Sequence, residues 1–440
     1  MSLKKAIFKK IYKIHVYLGL FIAIHVAIFS ISGLILLFKD EIQKNEKSQK
    51  SPLVHHEKIA KQFEAIQLDL LKNDPQDRIL ALFPDDENQN LIHVRLGIDG
   101  ATQLRGARKL MYDLVTTQKL NEKPITDPHF FDLTLELHRE LFLGSKGKLY
   151  IGFVGLLYAI LLITGFLIYG NFMRGRSFGE IRHRPLVKWM DWHKFIGVIT
   201  FGWTLIVALS GVFLAFNGVL IKLFQKQSLK TLTESYHGFD SSSQIKASLA
   251  SVIDSALSAR PDFMISYISF PNTEFGIPGH YLLLMNGTSR FAERLSELVV
   301  VNEVTGSLTK VIELPLYLKL VLLSEPLHFG DYGGLALKII WALFTLCSLI
   351  VAGLGVVSFF KKRSKSVSSK PSSLRSVISS QKKPHDSQPS SPYVWPVLLA
   401  VLAVVSLFVS LLTTGFFGGL ALLILALPLA LIFFKGNKNV

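Results

Sequence analysis

Four histidines recur at matching positions along the 440-residue chain. An offset of 178 residues aligns His15 with His193, and an offset of 190 residues aligns His138 with His328. Neutral imidazole is a ligand for iron, copper and zinc, so two opposed rings could hold a metal between them. The repeat therefore predicts two histidine pairs, each with the chemistry of a metal ligand set.

Long apolar segments accompany these histidines. The chain is 50% hydrophobic, with a mean hydropathy of +0.38. Uncharged apolar runs of about 20 residues are typical of membrane-spanning helices. Six such runs occur, at Val16–Phe38, Leu149–Gly170, Phe195–Phe216, Leu335–Phe360, Tyr393–Thr413 and Gly415–Phe434. The first run is too long for a signal peptide and lacks a cleavage site, which predicts an uncleaved helix.

The chain contains the same unit twice. The offset of 178 also aligns Ser32–Gly33 with Ser210–Gly211, and the offset of 190 aligns Gly165 with Gly355. Between the apolar runs of each half, the pattern predicts one helix and several strands. The first half has a helix at 55–72 followed by RILALF and LIHVRLGI, and the second has QIKASLASVIDSAL followed by FMISYISF, HYLLLM and ELVVVNEVTGSLTKVIEL. Two halves with the same orientation predict a pseudo-two-fold axis along the membrane normal.

The net charge of +16 is concentrated in a few short segments, which argues against a nucleic-acid partner. Basic loops stay on the cytoplasmic side of a membrane, and this rule orients the whole chain. The prediction is an α-helical integral membrane protein with two parallel pseudo-repeats, cytoplasmic termini and the lipid bilayer as partner. Its parts are an N-terminus with the first helix (1–38), an outer α+β domain (39–147), a second helix (148–170), a basic loop (171–193), a third helix (194–216), a second outer α+β domain (217–333), a fourth helix (334–360), a disordered Ser/Lys/Pro-rich linker (361–392), a two-helix hairpin (393–434) and a tail (435–440).

The two histidine pairs are expected near the two membrane faces, His15 with His193 inside and His138 with His328 outside. Two imidazoles opposed across an apolar bundle are the axial ligands that a b-type haem needs, which predicts two haems. Glycines beside the histidines would let a flat macrocycle approach the backbone; these are Gly19, Gly197, Gly144, Gly330, Gly333 and Gly334. Another metal stays open, and so does an interfacial role without a metal.

His25 lies deeper in the first apolar run, and its repeat equivalent is Trp203. It could be an alternative ligand, a contact for a haem propionate or a quinone, or a packing residue, and packing is favoured. The remaining histidines are expected to be ordinary surface residues; these include His55, His56, His93, His237, His280 and His385. The single cysteine, Cys347, disfavours thiol and metal-cluster chemistry.

Several motifs together resemble the PepSY-associated transmembrane family over residues 5–365. These are the His-x-x-x-Gly starts of the first and third apolar runs, LHRELFLG, EPLHFGDYGGLALK and VVVNEVTGSLTK, in which Asn302 and Glu303 stand where an Asp-Pro is more usual. The resemblance implies a bacterial inner-membrane protein with two periplasmic PepSY domains. In the reductase branch of that family it implies haem iron bound by His15, His193, His138 and His328. His25 is not part of that pattern.

Three hypotheses follow for the function. The first is an electron-transfer enzyme that reduces a ferric siderophore or a similar iron chelate, with a quinol or a cytoplasmic-side reductase as donor. The second is a non-enzymatic protein whose PepSY domains bind or restrain partner proteins. The third is a siderophore or iron transporter, which ranks last because the apolar runs lack buried carboxylates and interrupted helices.

Overall fold

The computed structural model describes residues 3–43, 56–85, 90–104, 106–120, 130–235, 245–287, 296–368 and 391–437. The chain forms two compact units. The membrane unit comprises Met1–Lys44, Pro128–Phe216 and Leu323–Val440, and the sheet unit comprises Asn45–Asp127 and Asn217–Leu322. Most of the predicted linker 361–392, together with His55, His237 and His385, lies outside the described residues, as does the side chain of His56.

The described residues contain twelve α-helices, among them the eight that the sequence pattern predicts, in the predicted order. They are α1 (Leu3–Leu37), α2 (Lys39–Gln43), α3 (His56–Asn73), α4 (Phe130–Glu140), α5 (Gly144–Met173), α6 (Pro185–Ser228), α7 (Lys230–Ser235), α8 (Leu249–Ala259), α9 (Leu316–Phe329), α10 (Gly334–Ser368), α11 (Val394–Leu412) and α12 (Gly415–Asn437). Within these ranges, α1, α5, α6, α10, α11 and α12 are long and apolar enough to cross a membrane. The protein is therefore a multi-pass membrane protein with six candidate spans, one in each predicted apolar run.

The helix ends differ from the predicted ends, most of all in α6. This helix runs for 44 residues, whereas the apolar run predicted only 194–216. His193 consequently lies inside α6, and His15 lies inside α1, and neither starts its helix. The reason is that hydropathy detects burial in lipid, while backbone hydrogen bonding continues wherever the next turn finds a packing partner. In α6 that partner is the sheet unit, where Phe224 is buried.

In the membrane unit, α1 packs against α5 and α10, and the hairpin α11–α12 packs on itself and on α10. A buried cluster containing Trp203, Phe344 and Leu407 joins α6, α10 and α11. Helices approach closely in lipid where residues are small. At Gly202 a Cβ atom would lie 2.8 Å from the Cα atom of Ala400. The predicted hairpin is therefore a packed part of the membrane unit.

The strands of both halves form one sheet. They are β1 (Arg78–Pro84), β2 (Leu91–Gly97), β3 (Arg108–Asp113), β4 (Phe263–Ser269), β5 (His280–Gly287), β6 (Ser296–Asn302) and β7 (Leu308–Glu313). Their order is β3-β2-β1-β4-β5-β6-β7, and every neighbouring pair is antiparallel. The two outer segments, expected as separate α+β domains, thus share a sheet through β1 and β4. This pairing satisfies two strand edges that separate domains would leave open.

The two faces of the sheet are covered differently. One face packs against α3 and α8 in a core that includes Phe63, Val252 and Leu283. The opposite face, at β5 and β6, packs against Phe224 of α6 and Leu318 of α9. The predicted helices and strands of these segments are present, and β3 is an additional strand that the sequence pattern did not predict.

The turn between β6 and β7 shows how the unusual Asn302 is used. Its Oδ1 atom accepts hydrogen bonds from the backbone N–H groups of Val304 at 2.9 Å and Thr305 at 3.0 Å. Gly306 follows with a φ of +66°, a conformation that glycine adopts without strain. The amide oxygen of Asn302 therefore stabilises this turn.

Candidate functional site

His15 of α1 and His193 of α6 form the first pair, with 6.3 Å between their ring centroids. The Nδ1 atom of His15 donates to the carbonyl of Leu161 at 3.2 Å, and that of His193 donates to the carbonyl of Val351 at 2.9 Å. A carbonyl oxygen only accepts, so Nδ1 carries the proton in both rings. Each Nε2 atom therefore holds the lone pair that a metal requires.

His138 of α4 and His328 of α9 form the second pair, with ring centroids 6.2 Å apart. His328 Nδ1 donates to the carbonyl of Val207 at 3.0 Å, and His138 Nδ1 donates to the hydroxyl of Ser32 at 2.8 Å. The Ser32 hydroxyl donates its own hydrogen to the carbonyl of Ile28 at 2.7 Å, so it must accept the hydrogen bond from His138. Burial, followed by the neighbouring His328, lowers the pKa of His138 to about 3, which keeps its imidazole neutral.

A glycine lies against each of the four histidine rings. A Cβ atom added at these glycines would approach the histidine Cε1 atom closely: 2.9 Å from Gly165 to His15, 3.3 Å from Gly355 to His193, 3.3 Å from Gly33 to His138 and 3.0 Å from Gly211 to His328. The repeat aligns these glycines with each other, although the sequence pattern predicted no role for them. Their shared offsets with the histidines were the signal that could have revealed it.

The two pairs lie at different levels along α1 and α6. His15 and Ser32, which contact different pairs, are 17 residues apart on α1, and His193 and Ser210 have the same separation on α6. A rise of 1.5 Å per residue converts this separation into about 25 Å. The hydrocarbon core of a bilayer is about 30 Å thick, so the distance between the two pairs is comparable with that thickness.

A cavity of about 480 Å³ adjoins the first pair. Its lining is mainly apolar and includes Gly19 and Gly197, where an added Cβ atom would lie 3.7 and 3.8 Å from its nearest neighbours. Cationic side chains also line the cavity, from Lys13, Lys194, Lys362 and Arg363. An apolar slot with a cationic rim suits a flat hydrophobic group that carries carboxylates.

The other glycines that the sequence analysis associated with ligand approach have a local role. Gly144, Gly330 and Gly334 have φ values of +58°, +66° and +63°, so they form the turns before α5 and α10. These turns set the ends of α4 and α9, the helices that carry His138 and His328. Their contribution to the second pair is therefore positional.

The donor set of each pair fits haem iron better than a bare metal ion. Within the described residues, no group of three His, Cys, Asp or Glu side chains is placed to hold a metal ion. A structural zinc site needs four protein ligands, whereas a porphyrin supplies the remaining donors to an iron with two axial histidines. The ring-centroid separations of 6.3 and 6.2 Å would leave room for one metal ion between the rings of each pair.

His25 is not part of either pair. Its Nδ1 atom donates to the carbonyl of Phe21 at 3.0 Å, and its Nε2 atom accepts from the Tyr150 hydroxyl at 2.7 Å. Both ring nitrogens are therefore engaged, Nδ1 within α1 and Nε2 with α5, which favours the packing role among the alternatives.

The prediction that His280 is a surface residue is wrong. His280 is fully buried at the start of β5, where it pairs with Asn302 of β6, and its Nδ1 atom donates to the carbonyl of Pro278 at 3.0 Å. Burial lowers the pKa of His280 from its ordinary value. His280 became buried because β5 lies between β4 and β6, and the sequence around His280 does not reveal that pairing.

Six candidate spans together with an antiparallel sheet unit define a membrane α-helical protein with α+β structure outside the spans. A family comparison matches the PepSY-associated TM region over residues 12–362, which is well over half of the chain. The chain therefore belongs to the PepSY-associated transmembrane family. All four paired histidines fall inside the match, and the hairpin α11–α12 follows it. A comparison with curated proteins gives no significant match.

Proposed function

We propose that the protein is a b-type haem electron-transfer protein of the bacterial inner membrane that reduces a periplasmic ferric chelate, in the manner of a ferric-siderophore reductase. The observation that carries this proposal is the placement of two opposed histidine pairs about 25 Å apart along α1 and α6. Haem bound at these pairs supplies one-electron redox chemistry. The four paired histidines would hold the iron of two haems.

The protein's own residues orient the ligands and exclude water. Hydrogen bonds from Nδ1 to Leu161, Val351, Val207 and Ser32 fix each ring and direct Nε2 to the ligand position. Such a bond also raises the basicity of the ligand nitrogen. The cationic rim of the cavity balances the carboxylates of a group bound at the first pair.

The basic loop and the N-terminus support a cytoplasmic position for the first pair and a periplasmic position for the second. The sequence has no phosphate-binding glycine loop, which supports a separate electron donor, either a quinol in the bilayer or a cytoplasmic-side reductase. The acceptor is a chelate with hard oxygen ligands. Such ligands hold Fe(III) more tightly than Fe(II), so reduction releases the iron.

The experiment that tests this function uses the detergent-purified full chain under anaerobic conditions. The protein is reduced with dithionite, freed of excess reductant and mixed with the ferric complex of 2,3-dihydroxybenzoate or of acetohydroxamate and with an Fe(II)-specific indicator. Reoxidation of the haem bands with one Fe(II) trapped per electron is the expected result. A reduced protein that stays reduced contradicts the reductase, and a colourless protein favours the partner-binding hypothesis.

Ser32→Ala is expected to raise the midpoint potential of one haem. Among the described residues, the Ser32 hydroxyl is the hydrogen-bond acceptor recorded for His138 Nδ1, and without it the ligand becomes less basic. Ser210→Ala is the matched control, because His328 Nδ1 still has the carbonyl of Val207 at 3.0 Å as its hydrogen-bond acceptor when the Ser210 hydroxyl is removed. Redox titration of the visible bands measures both variants. Equal shifts in the two variants would contradict the role assigned to Ser32.

A further inference from the structure

A row of stacked rings crosses three strands of the sheet, on the face opposite α3 and α8. Phe83 of β1 pairs with His93 of β2, and their ring centroids are 5.3 Å apart with 27° between the planes. Tyr267 of β4 continues the row at 5.4 Å and 19° from Phe83. Successive side chains alternate between faces, and the adjacent Leu82, Ile268 and Val94 belong to the core under the helices. The row therefore lies on the other face.

Arg95 places a positive charge on this row. Its guanidinium carbon lies 5.1 Å from the centre of the Phe83 ring, and one guanidinium N–H group donates to the carbonyl of Val94 at 3.3 Å. Among the described residues, no carboxylate forms an ion pair with Arg95. Arg108, on the opposite face, contacts both Asp74 at 2.7 Å and Asp77 at 2.8 Å. The two arginines of neighbouring strands thus differ in whether their charge is balanced.

The surroundings of Arg95 make its charge costly. Burial lowers the pKa of Arg95, and burial raises the pKa of Tyr267 to about 12 although Arg95 opposes that rise. A cation removed from water is stabilised by an anion or by multiple hydrogen bonds. Tyr267 stays neutral at ordinary pH and cannot be that anion. Balancing the charge of Arg95 therefore calls for an anion from outside the described residues.

Two described carboxylates near this face have other partners, and a lysine of the neighbouring strand adds positive charge. Asp85 contacts His93 at 2.9 Å, and Glu274 accepts the backbone N–H of Leu104 at 3.0 Å. Lys109 of β3 pairs directly with Arg95 of β2, so its side chain is on the same face and is exposed. The face combines a flat aromatic surface with two cations.

We propose that this face binds an anionic aryl ligand, with Arg95 contacting its oxygens and the Phe83–Tyr267 row stacking on its ring. A guanidinium matches paired anionic oxygens in one plane, and an aromatic row favours a flat partner. Catecholate chelates have both features. This inference names the chelate class of the proposed reductase and rests on that function for its biological meaning, while the binding itself is independent of haem.

The test measures binding of a redox-inert chelate to the full-length protein in detergent. The probe is the gallium(III) complex of 2,3-dihydroxybenzoate, and the comparison probe is the neutral gallium(III) complex of acetohydroxamate. Isothermal titration calorimetry is expected to show binding of the catecholate complex and weaker binding of the neutral one. Arg95→Gln is expected to weaken catecholate binding by about tenfold or more, as loss of a charge-assisted contact does. Lys72→Gln, which removes an exposed cation of α3 on the other face of the sheet, should leave catecholate binding unchanged.

A second variant separates recognition from folding. Arg95→Lys keeps the charge but loses the planar pair of donors, and its binding is expected between that of the parent and of Arg95→Gln. The proposal is overturned if both Arg95 variants bind like the parent, or if neither complex binds the parent. A colourless protein that binds through Arg95 would refute only the reductase. A haem protein that binds catecholates regardless of Arg95 would refute only this site.

Discussion

Replacing His328 with alanine is expected to lower the haem content from about two to about one per chain, because one of two axial ligands is lost. The ring centroid of His328 lies 6.2 Å from that of His138, and its Nδ1 atom donates a hydrogen bond to the carbonyl of Val207. Alanine removes both the ligand nitrogen and this hydrogen bond. The pyridine haemochrome assay on purified protein gives the haem content, and His138→Ala should give the same value.

The matched control is His25→Ala. His25 lies in α1, and both of its ring nitrogens form hydrogen bonds, one with the carbonyl of Phe21 and one with the hydroxyl of Tyr150. Its replacement should leave about two haems per chain, although the loss of the contact with α5 should lower thermal stability. Haem loss from the His25 variant, together with haem retention in the His328 variant, would show that the ligands were assigned to the wrong residues.

Replacing Gly355 with valine is expected to remove the haem at the first pair while leaving the second pair intact. A Cβ atom at Gly355 would already lie 3.3 Å from His193 Cε1, and the two methyl groups of valine reach further. His193 would have to leave its position, and the hydrogen bond to Val351 would be lost with it. The measurements are haem content and the midpoint potentials, which should show one remaining haem with the parent potential of the second pair.

Gly353→Val is the control for this prediction, because Gly353 lies on the same helix with open space around the Cβ position. Both variants add the same side chain to α10, so they change its helix propensity and hydropathy equally. A haem content near two is expected for Gly353→Val. If Gly355→Val also retains about two haems, then the glycine contact does not position His193.

The histidine pairs could be predicted from sequence because the chain encodes them twice. The offsets that relate His15 to His193 and His138 to His328 are visible without any structure. Partners that hold the rings were harder to predict, because backbone carbonyls such as those of Leu161 and Val351 carry no residue-type signal. The four glycines that lie against the histidine rings recur at the repeat offsets, so their positions are visible in the sequence. Only their distances to the rings show that they position the histidines.

The single seven-stranded sheet could not be predicted from the pattern of strands. Pairing of β1 with β4 joins Ala81 to Ser269 and Leu82 to Ile268, which are far apart in sequence. Local alternation predicts strands and their faces but leaves the partner of an edge strand open. The aromatic row with Arg95 depends on this pairing, because it brings Tyr267 beside Phe83. For that reason no motif in either half indicated the row.

The central claim is that both histidine pairs bind haem, and the visible spectrum of the purified protein tests it most directly. The protein is expressed with ample haem, and the spectrum is recorded oxidised and dithionite-reduced together with the haem stoichiometry. We expect a Soret band, sharp reduced α and β bands and about two haems per chain, as for iron with two axial histidines. A featureless spectrum would contradict the claim.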